Sequence, residues 1–385
     1  MGYSFVMPKK VFTGYNALEK AQADIAQLGK RAFIVTGPTV VNLEIFSLVT
    51  DFLDGLSIEY KVFSGICGEP TDKMIEAGVE CFKTNGSFDF MIAFGGGSPL
   101  DSMKAINAIV SNGGKISDYL GKTIEKCNYP MVAIPTTAGT GSEATKFTVI
   151  TDTEKNIKML LAGDSLIPDY AIVDPQFTIT STESITVATG LDAFCHAAES
   201  FTSKKAQPLT DVLALSAVSR IFKSLPIVCK TGRDIDARNQ MAIAALEAGI
   251  CINNASVTLI HGMSRPIGAL FHIPHGLSNA MLLPECFKFA VDGAYDKFAQ
   301  LGRACGVADL TDDDVTASNK FIEGIEWLCK ECGVPTLSEY GIKRTDFMAV
   351  VDKMAQDAVD SGSPANTIKE CTVDNVKSIY NKLWE

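Results

Sequence analysis

The stretch FDFMIAFGGGSPLDSMKAINAIV, residues 88–110, runs from an apolar segment through three glycines into a segment of helical period. A short apolar run closed by a glycine turn reads as a buried strand, and the spacing beyond it reads as a helix. Gly95, Gly96 and Gly97 let backbone N–H groups approach a ligand without side-chain obstruction. The positive end of the following helix favours an anion such as a diphosphate. Ser98 is the expected N-cap, with Pro99 at the first helical position and Asp101 completing a capping box. The pattern is neither GxGxxG nor a P-loop, which needs GK[ST]. A tight turn in a parallel sheet uses the same glycines, so this loop alone does not decide for a ligand.

A second loop of similar kind lies in IPTTAGTGSEATKF, residues 134–147. It too follows an apolar strand. The hydroxyls of Thr136, Thr137, Thr140 and Ser142 then project from the strand's C-terminal edge, where open α/β sheets bind ligands. Further strands are expected at AFIVTG (32–37), YKVF (60–63) and YPMVAIPTT (129–137). Helix-period stretches separate them, such as NALEKAQADIAQLG (16–29), which ends on Gly29. Strand–helix alternation predicts a parallel sheet. Past residue 180 the strand signals fade. TGLDAFCHAAESF (189–201), PLTDVLALSAVSRIFKSL (208–225) and DNVKSIYNKLW (374–384) read as helices, and residues 238–264 read as one long helix. The expected organisation is an α/β domain with a parallel sheet over 1–180 and an all-α domain over 181–385.

Bulk properties narrow the partners. The net charge is −11, whereas a nucleic-acid-binding face must be basic, so nucleic acid is not an expected partner. The eleven cysteines are scattered, which fits a reducing cytoplasm. Only Cys329 and Cys332 have CxxC spacing, and they fall in a predicted helix without a second pair. The opening MGYSFVMPKK has no apolar core of signal length, and Val6 stands where a myristoylation signal has serine or threonine. No uninterrupted apolar run approaches the ~18–20 residues of a membrane span, so no membrane association is expected.

The helical half holds the chemistry. Asp192 and His196 are four apart on a helical stretch and so share one face, which Glu199 continues. Alone, this pair reads equally as an ion pair or a packed core histidine. The chain has only four histidines, however, and the other three, His261, His272 and His275, lie within HGMSRPIGALFHIPHG, residues 261–276. One carboxylate and three imidazoles can hold a divalent metal and leave positions open for substrate. Such mixed N/O ligands suit Fe²⁺, Zn²⁺ or Mn²⁺.

Together these motifs resemble the iron-containing (group III) alcohol dehydrogenase family, in order and over essentially the whole chain. The residues that carry the likeness are GGGSPLDSMKA (95–105), PTTAGTGSEAT (135–145), TGLDAFCHAAE (189–199) and HGMSRPIGALFHIPHG (261–276). The resemblance implies a dinucleotide domain and a helical domain with the active site between them, a fold also seen in dehydroquinate synthase-like enzymes. It implies Asp192, His196, His261 and His275 as metal ligands, with Fe²⁺ favoured over Zn²⁺ or Mn²⁺. Gly95, Gly96, Gly97, Ser98, Asp101, Thr136, Thr137, Thr140 and Ser142 match positions around a nicotinamide cofactor, and Lys158 falls near its ribose. His272 is placed for a proton relay or for orienting the nicotinamide. The implied activity is reversible, metal-dependent, NAD(P)H-linked reduction of a short-chain aldehyde to the primary alcohol, by a homodimer or larger homo-oligomer.

Two positions depart from that family. Gly37 stands where many NAD-dependent members carry an acidic residue against the adenosine ribose, yet no nearby lysine or arginine welcomes a 2′-phosphate. This leans to NAD(H) and leaves NADP(H) open. Arg265 stands where many members have a second histidine, one helical turn beyond His261. A fixed cation beside a divalent metal needs an offsetting anion. Either a carboxylate such as Glu199 or Asp192 supplies it, or the substrate does. A guanidinium suits carboxylate or sulfonate tails, so sulfoacetaldehyde (to isethionate) or succinic semialdehyde (to 4-hydroxybutyrate) are the expected substrates. Phe147 is expected to wall the pocket. The alternatives are a general short-chain alcohol or diol dehydrogenase of the 1,3-propanediol, lactaldehyde or glycerol type, and, remotely, a dehydroquinate synthase-like lyase.

Overall fold

The computed structural model describes residues 2–384. The chain divides into two compact units, one of residues 6–181 and one of residues 182–384 together with residues 2–5.

The α/β unit is built on a six-stranded, wholly parallel sheet in the order β1-β8-β5-β4-β2-β3. Its strands are β1 (Lys10–Thr13), β2 (Arg31–Val35), β3 (Glu59–Phe63), β4 (Phe90–Gly95), β5 (Met131–Pro135) and β8 (Tyr170–Val173), while β6 (Phe147–Asp152) and β7 (Ile157–Ala162) pair as a separate antiparallel ribbon. The helices are α1 (Ala17–Lys20), α2 (Gln22–Ile25), α3 (Glu44–Gly55), α4 (Asp72–Thr84) and α5 (Gly97–Asn112). The helix expected over 16–29 is broken at Ala21, whose N–H is shared between the carbonyls of Ala17 and Leu18 and tightens the turn. Alternation along β4 shows why its sequence reads as an unbroken apolar run. Phe90, Ile92 and Phe94 pack on one face with Phe46 and Leu53 of α3, and Met91 and Ala93 pack on the other with Met103 and Ile106 of α5. The chain runs from β2 to β3 on one side and returns to β4 on the other side of β2. Ligands of open α/β sheets bind at such a reversal, off the C-terminal ends of the strands.

The second unit is helical: α6 (Glu183–Phe201), α7 (Pro208–Lys230), α8 (Ile235–Ala255), α9 (Leu259–Phe271), α10 (His275–Ala290), α11 (Tyr295–Cys305), α12 (Asp314–Glu331), α13 (Arg344–Met348), α14 (Val351–Asp360) and α15 (Val373–Lys382). The single helix expected over 238–264 is two, α8 and α9, bent by 103° about a break that contains Ser256 at φ 68°. By length and composition α7 is apolar enough to cross a bilayer, although Asp211, Arg220 and Lys223 interrupt its apolar run. It is nevertheless a core helix here: Ala214, Val218, Ile221 and Leu225 are fully buried. Residues 2–5 group with this unit, where Gln207 Nε2 donates to the carbonyl of Ser4 at 3.1 Å.

Candidate active site

The helical unit gathers its histidines on three helices. In α6, capped by Thr182 accepting from Ile185 N, Asp192, His196 and Glu199 are all buried. His261 lies in the first turn of α9, and His275 opens α10 directly after Pro274. Gly276 is required there for close approach: a Cβ on it would lie 2.1 Å from the carbonyl oxygen of Ala188. That contact presses the start of α10 onto α6 and brings His275 to Asp192.

Asp192 Oδ1 is the centre of the cluster. It lies 3.7 Å from His196 Nε2, 3.5 Å from His261 Nε2 and 3.8 Å from His275 Nε2. Four ligands about 2.1 Å from one ion stand about 3.4 Å apart in a tetrahedron; the three separations from Asp192 are near that spacing, but His196 stands outside the group whose donor atoms all lie within 4.8 Å of one another. Asp192, His261 and His275 each turn one donor atom to within 4.8 Å of the other two. The electrostatics agree. Burial alone would raise the Asp192 carboxyl, but His196, His261 and His275 hold it well below the usual carboxylate range. Burial would lower His261, but Glu199 and Asp192 raise it to about 9.

Glu199 has two tasks. Its Oε1 accepts from Thr258 N (3.1 Å), Thr258 Oγ1 (2.7 Å) and Ile260 N (2.8 Å), which satisfies the exposed N–H groups at the start of α9. Its Oε2 meets His261 Nδ1. The imidazole thus donates from Nδ1 and turns the Nε2 lone pair toward Asp192, the orientation a metal ligand needs. This carboxylate also explains how a helix starts after Ser256 without a stop signal in the sequence.

Arg265 is half-buried, one turn beyond His261 on α9. Among the described residues no carboxylate forms an ion pair with it and no group hydrogen-bonds to it. Burial lowers its basicity, and only the more distant charge of Glu199 acts the other way. His272 is the left-handed C-cap of α9, at φ 54°, and is exposed. The structure places it outside the Asp192 cluster.

In the α/β unit the two glycine loops meet. Helix α5 starts at Gly97 with Gly96 as its N-cap, and no side chain caps it. The expected Ser98 cap is therefore not formed. A Cβ on Gly97 would lie 2.8 Å from Thr140 Cγ2, and one on Gly96 would lie 3.5 Å from Thr137. Gly95, at φ 155°, leaves no room for a side chain beside Pro99. The glycines thus serve the stacking of one loop on the other as well as backbone access. Thr136 N donates to Gly95 O at 2.9 Å, and Ser142 N donates to Thr140 Oγ1 at 3.3 Å. Asp101 forms no capping box. Its carboxylate accepts from Ser142 Oγ (2.5 Å) and Val149 N (2.8 Å), tying α5 to the second loop.

Lys104, which the sequence reading passed over, completes that tie. Fully buried, its Nζ donates to Ser142 Oγ (2.9 Å) and to the carbonyls of Thr145 and Phe147 (both 2.9 Å). Burial pulls its pKa down to about 8 against the pull of Asp101 and Glu143, and burial pushes Glu143 up to about 7. A lone lysine within the apolar stretch SMKAINAIV was the available signal. Phe147 opens β6, half-buried, and Lys158 Nζ pairs with Glu69 Oε1 at 2.6 Å. At the β2/β4 reversal lies an open cleft of about 390 Å³, lined by residues that include Gly37, Ile66, Gly68, Gly96 and Ser98. It lies at the N-terminus of α5, where a diphosphate is favoured.

Sequence comparison decides the family. Residues 8–175 match the iron-containing alcohol dehydrogenase family, and residues 186–384 match the C-terminal domain of the Fe-containing alcohol dehydrogenase family. The chain belongs to the iron-containing alcohol dehydrogenase family. It is 32% identical over 379 residues to the NAD-dependent methanol dehydrogenase of Bacillus methanolicus, covering 98% of each chain. Its structure is similar to that of a 1,3-propanediol oxidoreductase, with a TM-score of 0.93 and 30% identity over 100% of each chain. It is also similar to a sulfoacetaldehyde reductase from Bifidobacterium kashiwanohense in complex with NAD⁺, with a TM-score of 0.88 and 26% identity over 100% of this chain and 99% of that one. As a member of this family the chain is an oxidoreductase of the alcohol dehydrogenase type, acting on small alcohols or aldehydes with a nicotinamide cofactor and a metal.

Proposed function

We propose that this dehydrogenase reduces a short aldehyde with an anionic tail, sulfonate or carboxylate, to the primary alcohol, using NADH and Fe²⁺. One observation carries the reading: Arg265, a turn away from a metal ligand, is half-buried with no ion pair among the described residues. A guanidinium in that setting is stabilised by an arriving anion, and its planar fork matches both tails. The likeness to a sulfoacetaldehyde reductase supports the same substrate class.

Asp192, His196, His261 and His275 hold the ion, and Glu199 holds His261 in the required tautomer. When bound, the metal supplies Lewis acidity toward the carbonyl oxygen and the reduced nicotinamide supplies the hydride. The glycine loops and the hydroxyls of Thr136, Thr137, Thr140 and Ser142 position the cofactor, with Lys158 toward its ribose and Phe147 limiting substrate size. Hydride and one proton convert the aldehyde to the alcohol. A general short-chain alcohol or diol dehydrogenase is the competing reading, favoured by the likeness to the 1,3-propanediol oxidoreductase. NADH oxidation measured on neutral and anionic aldehydes of equal chain length separates the two. Preference for the anionic members supports the proposal, and equal rates on propanal and on the anionic members overturn it.

A further inference from the structure

The His275 side chain is 43% exposed, against 5% for His261 and 7% for His196. Water reaches this ring, and solvent alone leaves a neutral imidazole free to carry its hydrogen on either nitrogen. Behind the ring stand two serines, Ser264 of α9 and Ser278 of α10, both fully buried. Ser278 Oγ donates to the carbonyl of His275, one turn back, at 2.9 Å. Ser264 Oγ lies 2.5 Å from Ser278 Oγ and 3.5 Å from His275 Nδ1. The three contacts form a circuit that starts at the His275 backbone and returns to its ring.

The circuit has one direction. A carbonyl oxygen cannot donate, and a hydroxyl has a single hydrogen. The Ser278 hydrogen points at the carbonyl of His275, so toward Ser264 the Ser278 oxygen only accepts. The Ser264 hydrogen must fill that contact, because two hydroxyl oxygens 2.5 Å apart with no hydrogen between them would repel. Toward Nδ1 the Ser264 oxygen then accepts as well. Nδ1 therefore carries the ring hydrogen, and the lone pair is left on Nε2, the atom that stands 3.8 Å from Asp192 Oδ1. We propose that Ser264 and Ser278 are positioning residues that hold His275 as its Nδ1–H tautomer, with Nε2 free to bind the metal. Glu199 does the same for His261 with a charge, and here two neutral hydroxyls do it. The proposal rests on the reading of the cluster as a metal site and is independent of the substrate.

The test uses the full chain without cofactor or aldehyde. In the metal-free protein the NMR shifts of the ring nitrogens distinguish the two tautomers, only four histidines contribute, and His275→Gln identifies the signals of His275. Under alkaline conditions, where an imidazole is neutral, native His275 is expected as the Nδ1–H form. Ser278→Ala removes the acceptor of the Ser264 hydrogen, which can then turn to Nδ1. The Nε2–H form should appear, although the circuit joins residue 278 to the ring only through Ser264. Ser264→Ala should leave a mixture of the two forms. Titration with Zn²⁺ against a competing chelator gives a second readout. Both variants should bind the ion roughly tenfold more weakly than native, the low end for an outer partner of a metal ligand, because the contact to Nδ1 is long. Native His275 found as the Nε2–H form overturns the proposal, as does a Ser278→Ala variant with the native tautomer. If the native chain binds no Zn²⁺, the reading of the cluster as a metal site fails, and the tautomer of Ser278→Ala still decides whether the two serines set the ring.

Discussion

Glu199 holds His261 at two levels: Oε2 meets the imidazole Nδ1, and Oε1 accepts from Ile260 N at 2.8 Å in the turn that carries the ring. One buried carboxylate thus sets both the position and the tautomer of His261, a proposed metal ligand. Glu199→Gln keeps the shape but replaces one acceptor oxygen with a donor facing His261 Nδ1. Metal retention against a chelator should fall roughly 10–100-fold. The metal-free variant should also unfold more easily, by about 1–3 kcal/mol, because a buried partner is left unsatisfied. Native metal retention in Glu199→Gln would show that the tautomer does not depend on this carboxylate.

Glu143 predicts a pH signature in the α/β unit. Burial raises its pKa to about 7 from the ordinary 4.5. A group whose folded pKa is raised stabilises the fold fully below its unfolded value, and that stability is lost as pH rises through the folded value. Between about pH 4.5 and 7 the native protein therefore forfeits stability through this residue. Glu143→Gln should remove that slope, so its stability relative to native should improve from pH 5 to pH 8, by up to roughly 3 kcal/mol. Urea unfolding of both proteins at the two pH values measures it. An identical difference at pH 5 and pH 8 would show that Glu143 does not titrate in this range.

The two central loop glycines should respond differently to a methyl group. At Gly97 a Cβ meets Thr140 Cγ2 at 2.8 Å, so the second loop must shift, whereas at Gly96 the nearest contact is an ordinary 3.5 Å from Thr137. Gly97→Ala is expected to raise the KM for NADH about tenfold or more, with a smaller rise in Gly96→Ala. That ratio corresponds to about 1.4 kcal/mol. Equal effects would mean that backbone access to the diphosphate, not loop stacking, governs both positions.

Most of the parallel sheet is legible from apolar runs, because strands buried on both faces leave no polar alternation to confuse them. β1 and β8, each four residues long, are not among the expected strands. The break containing Ser256 is hidden because a serine at positive φ is rare and the apolar pattern continues past it. Asp192 and His196 were found by their four-residue spacing. Ser264 and Ser278 attract no such notice, because a serine within a helix carries no signal without the distances that join the two hydroxyls to His275. The expected Ser98 cap fails for a related reason: contact of Gly97 with Thr140, 43 residues along the chain, is tertiary and leaves no local signal.

Arg265 yields the prediction that bears most directly on substrate. Half-buried and without an ion pair among the described residues, it is a guanidinium whose charge the folded chain leaves unneutralised. If a sulfonate or carboxylate tail completes the pair, Arg265→Gln removes a charge-assisted contact of about 1.5–3 kcal/mol, and the KM for the anionic aldehyde should rise roughly 10–100-fold. The KM for a neutral aldehyde of the same length should change little, because no tail reaches the lost guanidinium. Metal content should stay at the native level, which separates this role from support of His261 one turn away. The variant should also lose sensitivity to salt, since screening weakens only the anionic contact. Equal loss on both substrate classes with metal retained would assign Arg265 to the architecture of α9. Equal loss together with metal loss would assign it to the ion. Lysine at this position should restore the charge but not the two-pronged grip, so Arg265→Lys should fall between Arg265→Gln and native on the anionic aldehyde alone.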